Sequence, residues 1–333
     1  MLLNAKNNTR MQWLKYLAWS MLLAAFVYAG DIKPSVEVEF NMFYNRNYPQ
    51  PLSFQLREAK LFLDADISER SAALIEYTMK DNLIRSQLER AYFTQHELPF
   101  NSQLTLGQFR NPFGYFDPFT VSHSTTKSTG LAPDTLMPEF KLRDLDVGLY
   151  WESQGEAVTF GLGVTNGNGI NNLKDDNNFK DFVGHAVVSF GELQVGVNGY
   201  YGRKNSVNND GSVSSYSSVE VMAAGLEAMA YVGNATIAME ALVRNYGTLH
   251  SAGSYLTMNY DLSSFLIPTL RSTTRLEVFD PDTHVPTDES VQWAQGFLYT
   301  ISRGYLAKLE FVLNLEKYRR QGNEIFFELE YEL

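Results

Sequence analysis

The 333-residue chain sets 38 acidic against 27 basic residues, a formal charge of −11, and is rich in Phe (22) and Tyr (19) with no cysteine. This acidity denies it the basic face that a phosphate-binding nucleic-acid protein needs. The missing thiols exclude disulfides, cysteine zinc sites and thiol nucleophiles. A mean hydropathy of −0.23 excludes a bundle of membrane helices, each needing about 20 apolar residues, and the aromatic content excludes a disordered chain.

Residues 1–29 read as a secretory signal peptide. Lys6, Arg10 and Lys15 precede an apolar run from Tyr16 to Val27, and Val27-Tyr28-Ala29 ends in a small residue suited to cleavage. Met11 is an alternative start, and an N-terminal anchor helix is the alternative reading of the segment. Removal of the segment leaves 24 basic and 38 acidic residues, a charge of −14. Export of a cysteine-free chain points to a bacterial envelope.

From residue 36 onward apolar residues recur at every second position, the period of a strand with one apolar face. Leu145, Val147, Leu149 and Trp151 alternate with Asp144, Asp146, Gly148 and Tyr150. The chain ends on Ile325, Phe327, Leu329, Tyr331 and Leu333 against Glu328, Glu330 and Glu332. The pattern predicts strands at 36–44, 54–66, 71–79, 87–96, 102–110, 144–152, 156–165, 181–190, 192–201, 216–231, 234–245, 253–262, 268–279, 290–300, 304–316 and 324–333. Many approach the roughly 9 to 11 residues that a tilted strand needs to cross a bilayer.

The connectors alternate in length. Those at 67–70, 97–101, 153–155, 191, 232–233, 263–267 and 301–303 are tight. Those at 45–53, 80–86, 111–143, 166–180, 202–215, 246–252, 280–289 and 317–323 are mostly longer and rich in Asn, Asp, Gly, Ser and Pro. Short turns at one rim and long loops at the other are the mark of a transmembrane barrel. In hydrocarbon every backbone polar group needs an internal partner, which a closed sheet provides. The expectation is an all-β, antiparallel barrel of about 16 strands over residues 30–333. Its apolar face meets lipid, and Trp151, Tyr201 and Tyr331 sit in interfacial girdles. Its lumen is too wide for side chains to fill.

The connector 111–143 holds Phe113, Tyr115, Phe116, Phe119, Leu131, Leu136, Met137 and Phe140. So long a segment with so many apolar residues is expected to fold into the lumen and narrow it, the other reading being a loop packed over the mouth. Lys127 is its basic candidate, with Asp117, Asp134 and Glu139 as acidic ones. The phase of the strands predicts basic pore-lining residues Lys60, Arg90, Arg110, Arg244, Arg271, Arg275 and Lys308, and acidic ones Asp64, Glu76, Glu240, Glu277, Glu310 and Glu328. Many of these have a simpler role in cross-strand pairs, Glu240 with Arg244 for example.

Signals for catalysis and metal binding are weak. The five histidines (His96, His123, His185, His250 and His284) include no His-x-x-x-His pair, so no metal cluster is expected. Gly161-Leu162-Gly163 lies inside a strand and lacks the third glycine of a dinucleotide loop. No enzyme activity and no cofactor is expected.

Two regions carry a family resemblance. Leu88-Glu89-Arg90-Ala91-Tyr92-Phe93, followed by Leu106-Gly107-Gln108-Phe109-Arg110-Asn111-Pro112-Phe113-Gly114, resembles the fifth-strand region of the phosphate-selective porins O and P. Arg275-Leu276-Glu277-Val278-Phe279-Asp280-Pro281-Asp282 is similar to a late strand and loop of that family. The resemblance implies a 16-stranded porin of the bacterial outer membrane, usually trimeric, whose third external loop folds inward. Phosphate-binding members of the family carry an arginine ladder and a lysine cluster at the constriction, whereas here the inward loop offers mainly Lys127 and the wall mixes signs. The expected function is passive diffusion of small hydrophilic or anionic solutes. A plugged barrel serving as adhesin, scaffold or sheath for a partner protein is the alternative.

Overall fold

A strand with one apolar and one polar face is stable only where both faces find their own medium, and sixteen such strands in succession solve this by closing on themselves. The computed structural model describes residues 31–45, 52–80, 85–113, 145–167, 179–207, 213–263, 267–286, 288–315 and 324–332. In chain order the strands are β1 (Asp31–Asn45), β2 (Leu52–Ser68), β3 (Ser71–Lys80), β4 (Arg85–Leu98), β5 (Ser102–Arg110), β6 (Leu145–Gln154), β7 (Val158–Thr165) and β8 (Asp181–Phe190). They continue as β9 (Leu193–Val207), β10 (Val213–Val232), β11 (Ala235–Tyr246), β12 (Leu249–Asp261), β13 (Leu270–Asp280), β14 (Ser290–Ser302), β15 (Tyr305–Asn314) and β16 (Glu324–Glu332). Each pairs antiparallel with its sequence neighbours, and β1 pairs with β16 to close the barrel. The segment 1–29 and the loop residues 114–143, Lys127 among them, lie outside the described residues.

The two faces separate cleanly. On the outer face Leu162, Leu226 and Val243 are 60%, 61% and 57% exposed, whereas Glu240 and Arg244 on the inner face are 1% exposed. A continuous apolar exterior of this kind marks a surface that does not meet water. Near the short turns its aromatic residues pack in pairs, Tyr305 on Tyr331 with ring centroids 4.5 Å apart and Trp151 on Phe160 at 5.1 Å. Towards the other rim Tyr201 packs on Phe179 at 5.7 Å.

Short turns gather at one rim. Gly191, Gly233 and Gly304 take positive φ (62°, 58° and 82°), which lets the chain reverse without a side-chain clash. Both ends of the described chain, in β1 and β16, lie at this rim. The opposite rim differs from expectation most clearly at the β11–β12 connector. Where the pattern predicts a loop over 246–252, the chain makes a two-residue turn at Gly247-Thr248, and β12 begins at Leu249 with Asn245 facing His250 and Arg244 facing Ser251. The ladder outruns the apolar band, because beyond that band polar side chains on both faces suffice and period 2 disappears from the sequence while the hydrogen bonds continue. The same reason extends β9 to Val207 and starts β1 at Asp31.

Small aromatic clusters line the inner wall. Tyr92, Phe109 and Tyr150 pack together across β4, β5 and β6. Tyr150 lies over β7, where Gly161 leaves room for it: a Cβ there would stand 2.1 Å from the Tyr150 hydroxyl oxygen. Gly199, by contrast, has no neighbour nearer than 4.0 Å to an added Cβ. Gly161→Val is therefore expected to destabilise the barrel by about 1–3 kcal/mol through overpacking, and Gly199→Ala to change it by under about 0.5 kcal/mol. Urea unfolding of the detergent-refolded protein measures both.

Candidate functional site on the inner wall

The seam that closes the barrel carries the densest charge. Alternation along β1 turns Glu37 and Glu39 inward between Val36, Val38 and Phe40, and the register sets Glu39 opposite Glu58 of β2 on one side and Glu330 of β16 on the other. Three carboxylates in a row across adjacent strands repel one another. Two ammonium groups offset this. Lys60 Nζ lies 2.5 Å from Glu37, 2.8 Å from Glu58 and 3.2 Å from Glu39, and Lys308 Nζ lies 2.5 Å from Glu330 and 2.9 Å from Glu328. Carboxylate oxygens of Glu37, Glu39 and Glu58, and of Glu39, Glu328 and Glu330, fall within 4.8 Å of one another. The lysines are the built-in counter-ions of these clusters.

On β3 and β4 a bulge between Glu76 and Tyr77 turns both Glu89 and Arg90 into the wall. Arg90 donates through Nε to Glu76. Gln108 closes the bulge by donating to the carbonyls of Leu88 (2.8 Å) and Glu89 (3.0 Å). Across the barrel, Arg275 ion-pairs with Glu277 and stacks over Tyr255, 4.3 Å from the ring centroid. Arg244 donates to Ser251 Oγ at 3.1 Å. On β6 the Tyr150 hydroxyl donates to Glu152 at 2.7 Å and sits 3.3 Å from His185 Nδ1.

Of the residues expected along the pore, Lys60, Arg90, Glu240, Arg244, Arg275, Lys308 and Glu328 lie on the inner face. Asp64, Glu76, Glu277 and Glu310 share it. Arg271 has the inward register but is an exposed residue beside the short-turn rim, opposite Asp261. Arg110 does not follow the expectation: Phe109 and Asp146 take the inward position, the ladder puts Arg110 on the opposite face, and its half-exposed side chain comes within 3.9 Å of Glu89. The β5–β6 register runs without a shift through Gly107, whose φ is 135°. Glu37, Glu39 and Glu58 were not expected, although the alternation of Val36, Val38 and Phe40 with glutamates carries the signal for the first two.

After β5 the described residues 111–113 lie against the inner wall. The Phe113 N–H donates to the Asn111 carbonyl at 2.8 Å. The Phe113 side chain, fully buried, packs on inner-face residues Val183, Tyr200, Val221 and Ala223 of β8, β9 and β10.

No protein-family model matches the chain, and no curated protein matches its sequence. Solved structures do resemble it. The trimeric form of the outer membrane protein OmpT of Vibrio cholerae is 10% identical with a TM-score of 0.65, covering 92% of this chain and 100% of its own. The outer membrane channel DcaP of Acinetobacter baumannii is 11% identical with a TM-score of 0.63, over 91% and 97%. The anion-selective porin from Comamonas acidovorans is 10% identical with a TM-score of 0.62, over 91% and 99%. At this identity the likeness establishes the fold, a closed 16-stranded antiparallel barrel of the outer-membrane porin type.

The seam generates a stability prediction. Lys60→Met removes the ammonium that Glu37, Glu39 and Glu58 share and is expected to cost about 3–5 kcal/mol. Lys33→Met, which removes an exposed pair with Asp66, is expected to cost under about 1 kcal/mol. Urea unfolding in detergent distinguishes the two.

Proposed function

We propose that the chain is a porin of a bacterial outer membrane, a passive channel for small hydrophilic solutes that does no covalent chemistry. The observation that carries this reading is the division of faces: an apolar exterior fit for lipid around an inner wall of ionic groups, closed so that no strand edge is left. A 16-stranded barrel leaves a lumen wide enough for water. The signal-peptide pattern of residues 1–29 supports export, and the trimeric form of the V. cholerae neighbour supports a homotrimer as the assembly. The inward burial of Phe113 supports a constriction built by residues 111–143. The finer likeness to the phosphate-selective porins O and P rests on the quoted segments of β4, β5 and β13.

The inner face supports a preference for cations rather than for anionic solutes. Among the described residues Glu37, Glu39, Glu58, Glu328 and Glu330 share Lys60 and Lys308 at the seam, and Asp146, Asp181, Glu227 and Glu310 are further acidic groups of the inner wall. Acidic walls assist cations in shedding hydration. A plugged barrel is the second reading, favoured by one observation: most inner-wall ionic groups are buried below a tenth of their surface.

Planar-bilayer recording separates these readings. A conducting channel is expected, with a reversal potential on the cation side in a KCl gradient and weaker selectivity near 1 M salt, where screening shortens to about 3 Å. No conductance would leave the plugged barrel, and an anion-side potential would remove the acidic-wall argument. Phe113→Ala, which frees the start of the long connector from the wall, is expected to raise single-channel conductance; an unchanged conductance would dissociate Phe113 from the constriction.

A further inference from the structure

At the long-connector rim the closed sheet brings together two histidines that stand far apart in the chain. His250 is the second residue of β12, and His284 lies in the β13–β14 connector. That connector is tied to β12 by the Thr283 N–H, which donates to the His250 carbonyl at 2.8 Å. The imidazole rings meet edge to face, with centroids 4.8 Å apart and planes at 61°. Each Nδ1 has an oxygen behind it. His250 Nδ1 lies 2.7 Å from Asn245 Oδ1, its ladder partner on β11, and His284 Nδ1 lies 3.3 Å from Asp282 Oδ1.

An oxygen acceptor at Nδ1 holds the ring proton there and leaves the lone pair on Nε2. This is the state in which imidazole binds a metal, with a carboxylate or carbonyl fixing the ring from behind. Neither Nε2 takes a hydrogen bond among the described residues. Two Zn–N bonds of about 2.0–2.1 Å at a tetrahedral angle set ring centroids about 5 Å apart, close to the separation seen here. The His284 side chain is 67% exposed, so an ion has access from the medium, and Asp282 and Glu289 give the connector the negative field that draws one.

We propose that His250 and His284 form a binding site for a divalent transition-metal ion of the Zn²⁺, Ni²⁺ or Cu²⁺ class. The two Nε2 atoms are its protein ligands, water completes the shell, and Asn245 and Asp282 are positioning residues that fix the rings. A bound ion clamps the β13–β14 connector onto β12. The site is independent of whether the barrel conducts.

Isothermal titration of Zn²⁺ into the detergent-refolded full chain tests it, with Cu²⁺ electron paramagnetic resonance as the second readout. The expected result is one Zn²⁺ per chain, weakened at least about tenfold in His250→Ala and in His284→Ala, and about 10- to 100-fold in Asp282→Asn. The Cu²⁺ spectrum is expected to show two imidazole nitrogens in the parent and one in either histidine variant. Both histidines sit at the rim, so the variants keep the barrel, which heat-modifiable electrophoretic mobility verifies. The proposal is overturned if Zn²⁺ does not bind, if the double variant binds it as tightly as the parent, or if equimolar Mg²⁺ displaces it, since that would mark carboxylate rather than imidazole ligation.

Discussion

The structure depends on one constraint: where no water can reach the backbone, every N–H and C=O must be answered from within the sheet. Sixteen strands meet it by returning the last onto the first, so that β1 and β16 give each other the partners that an open sheet would leave at its edges. Much follows from closure. An even number of strands puts both ends at one rim, which keeps the tight turns and leaves the opposite rim to the long connectors. Alternation then has only two destinations, and each residue's parity decides whether it meets apolar surroundings or the interior.

Closure also concentrates charge. Glu39 has a carboxylate opposite it on both neighbouring strands, an arrangement that opposes the ladder on which the barrel depends. Lys60 and Lys308 reach the row from its two flanks, so the strands that must join are held by cations contributed from the next strands out. On the far wall the balance is local: Arg275 has Glu277 and the Tyr255 ring as immediate neighbours. The interior is thus a carpet of neighbouring pairs with an acidic surplus, and each lysine of the seam serves more than one carboxylate.

Most of the barrel was legible in the sequence because the apolar band forces period 2 wherever a strand crosses it. The order and number of strands follow from that alone, as does the inward side of Lys60, Arg244, Arg275 and Glu328. What lay outside the band was not legible. The residues Leu249 to Ala252 read as loop because Leu-His-Ser-Ala shows no period-2 alternation of apolar residues, yet they pair with β11. Arg110 was expected on the inner side, whereas the β5–β6 ladder runs without a shift and gives that side to Phe109 and Asp146. Glu89 and Arg90 both enter the wall because the bulge fell on β4 instead. The histidine pair was invisible for a different reason. Spacing along the chain reveals ligands that share a helix or a turn, whereas His250 and His284 meet only because β12 and β13 are neighbours and the β13–β14 connector folds back onto β12.

The pairing of β1 with β16 has a consequence in time as well as in space. Every other ladder joins strands that follow one another, so hairpins can form from local contacts soon after their turns close. The seam joins the first strand to the last, and bringing those ends together carries the largest loop-closure entropy in the molecule. Until it forms, two unpaired edges lie open to any other extended chain. The barrel is therefore a device that cannot be finished in instalments: the strand made first waits for the strand made last, and the chain passes from two sticky edges to none in a single step.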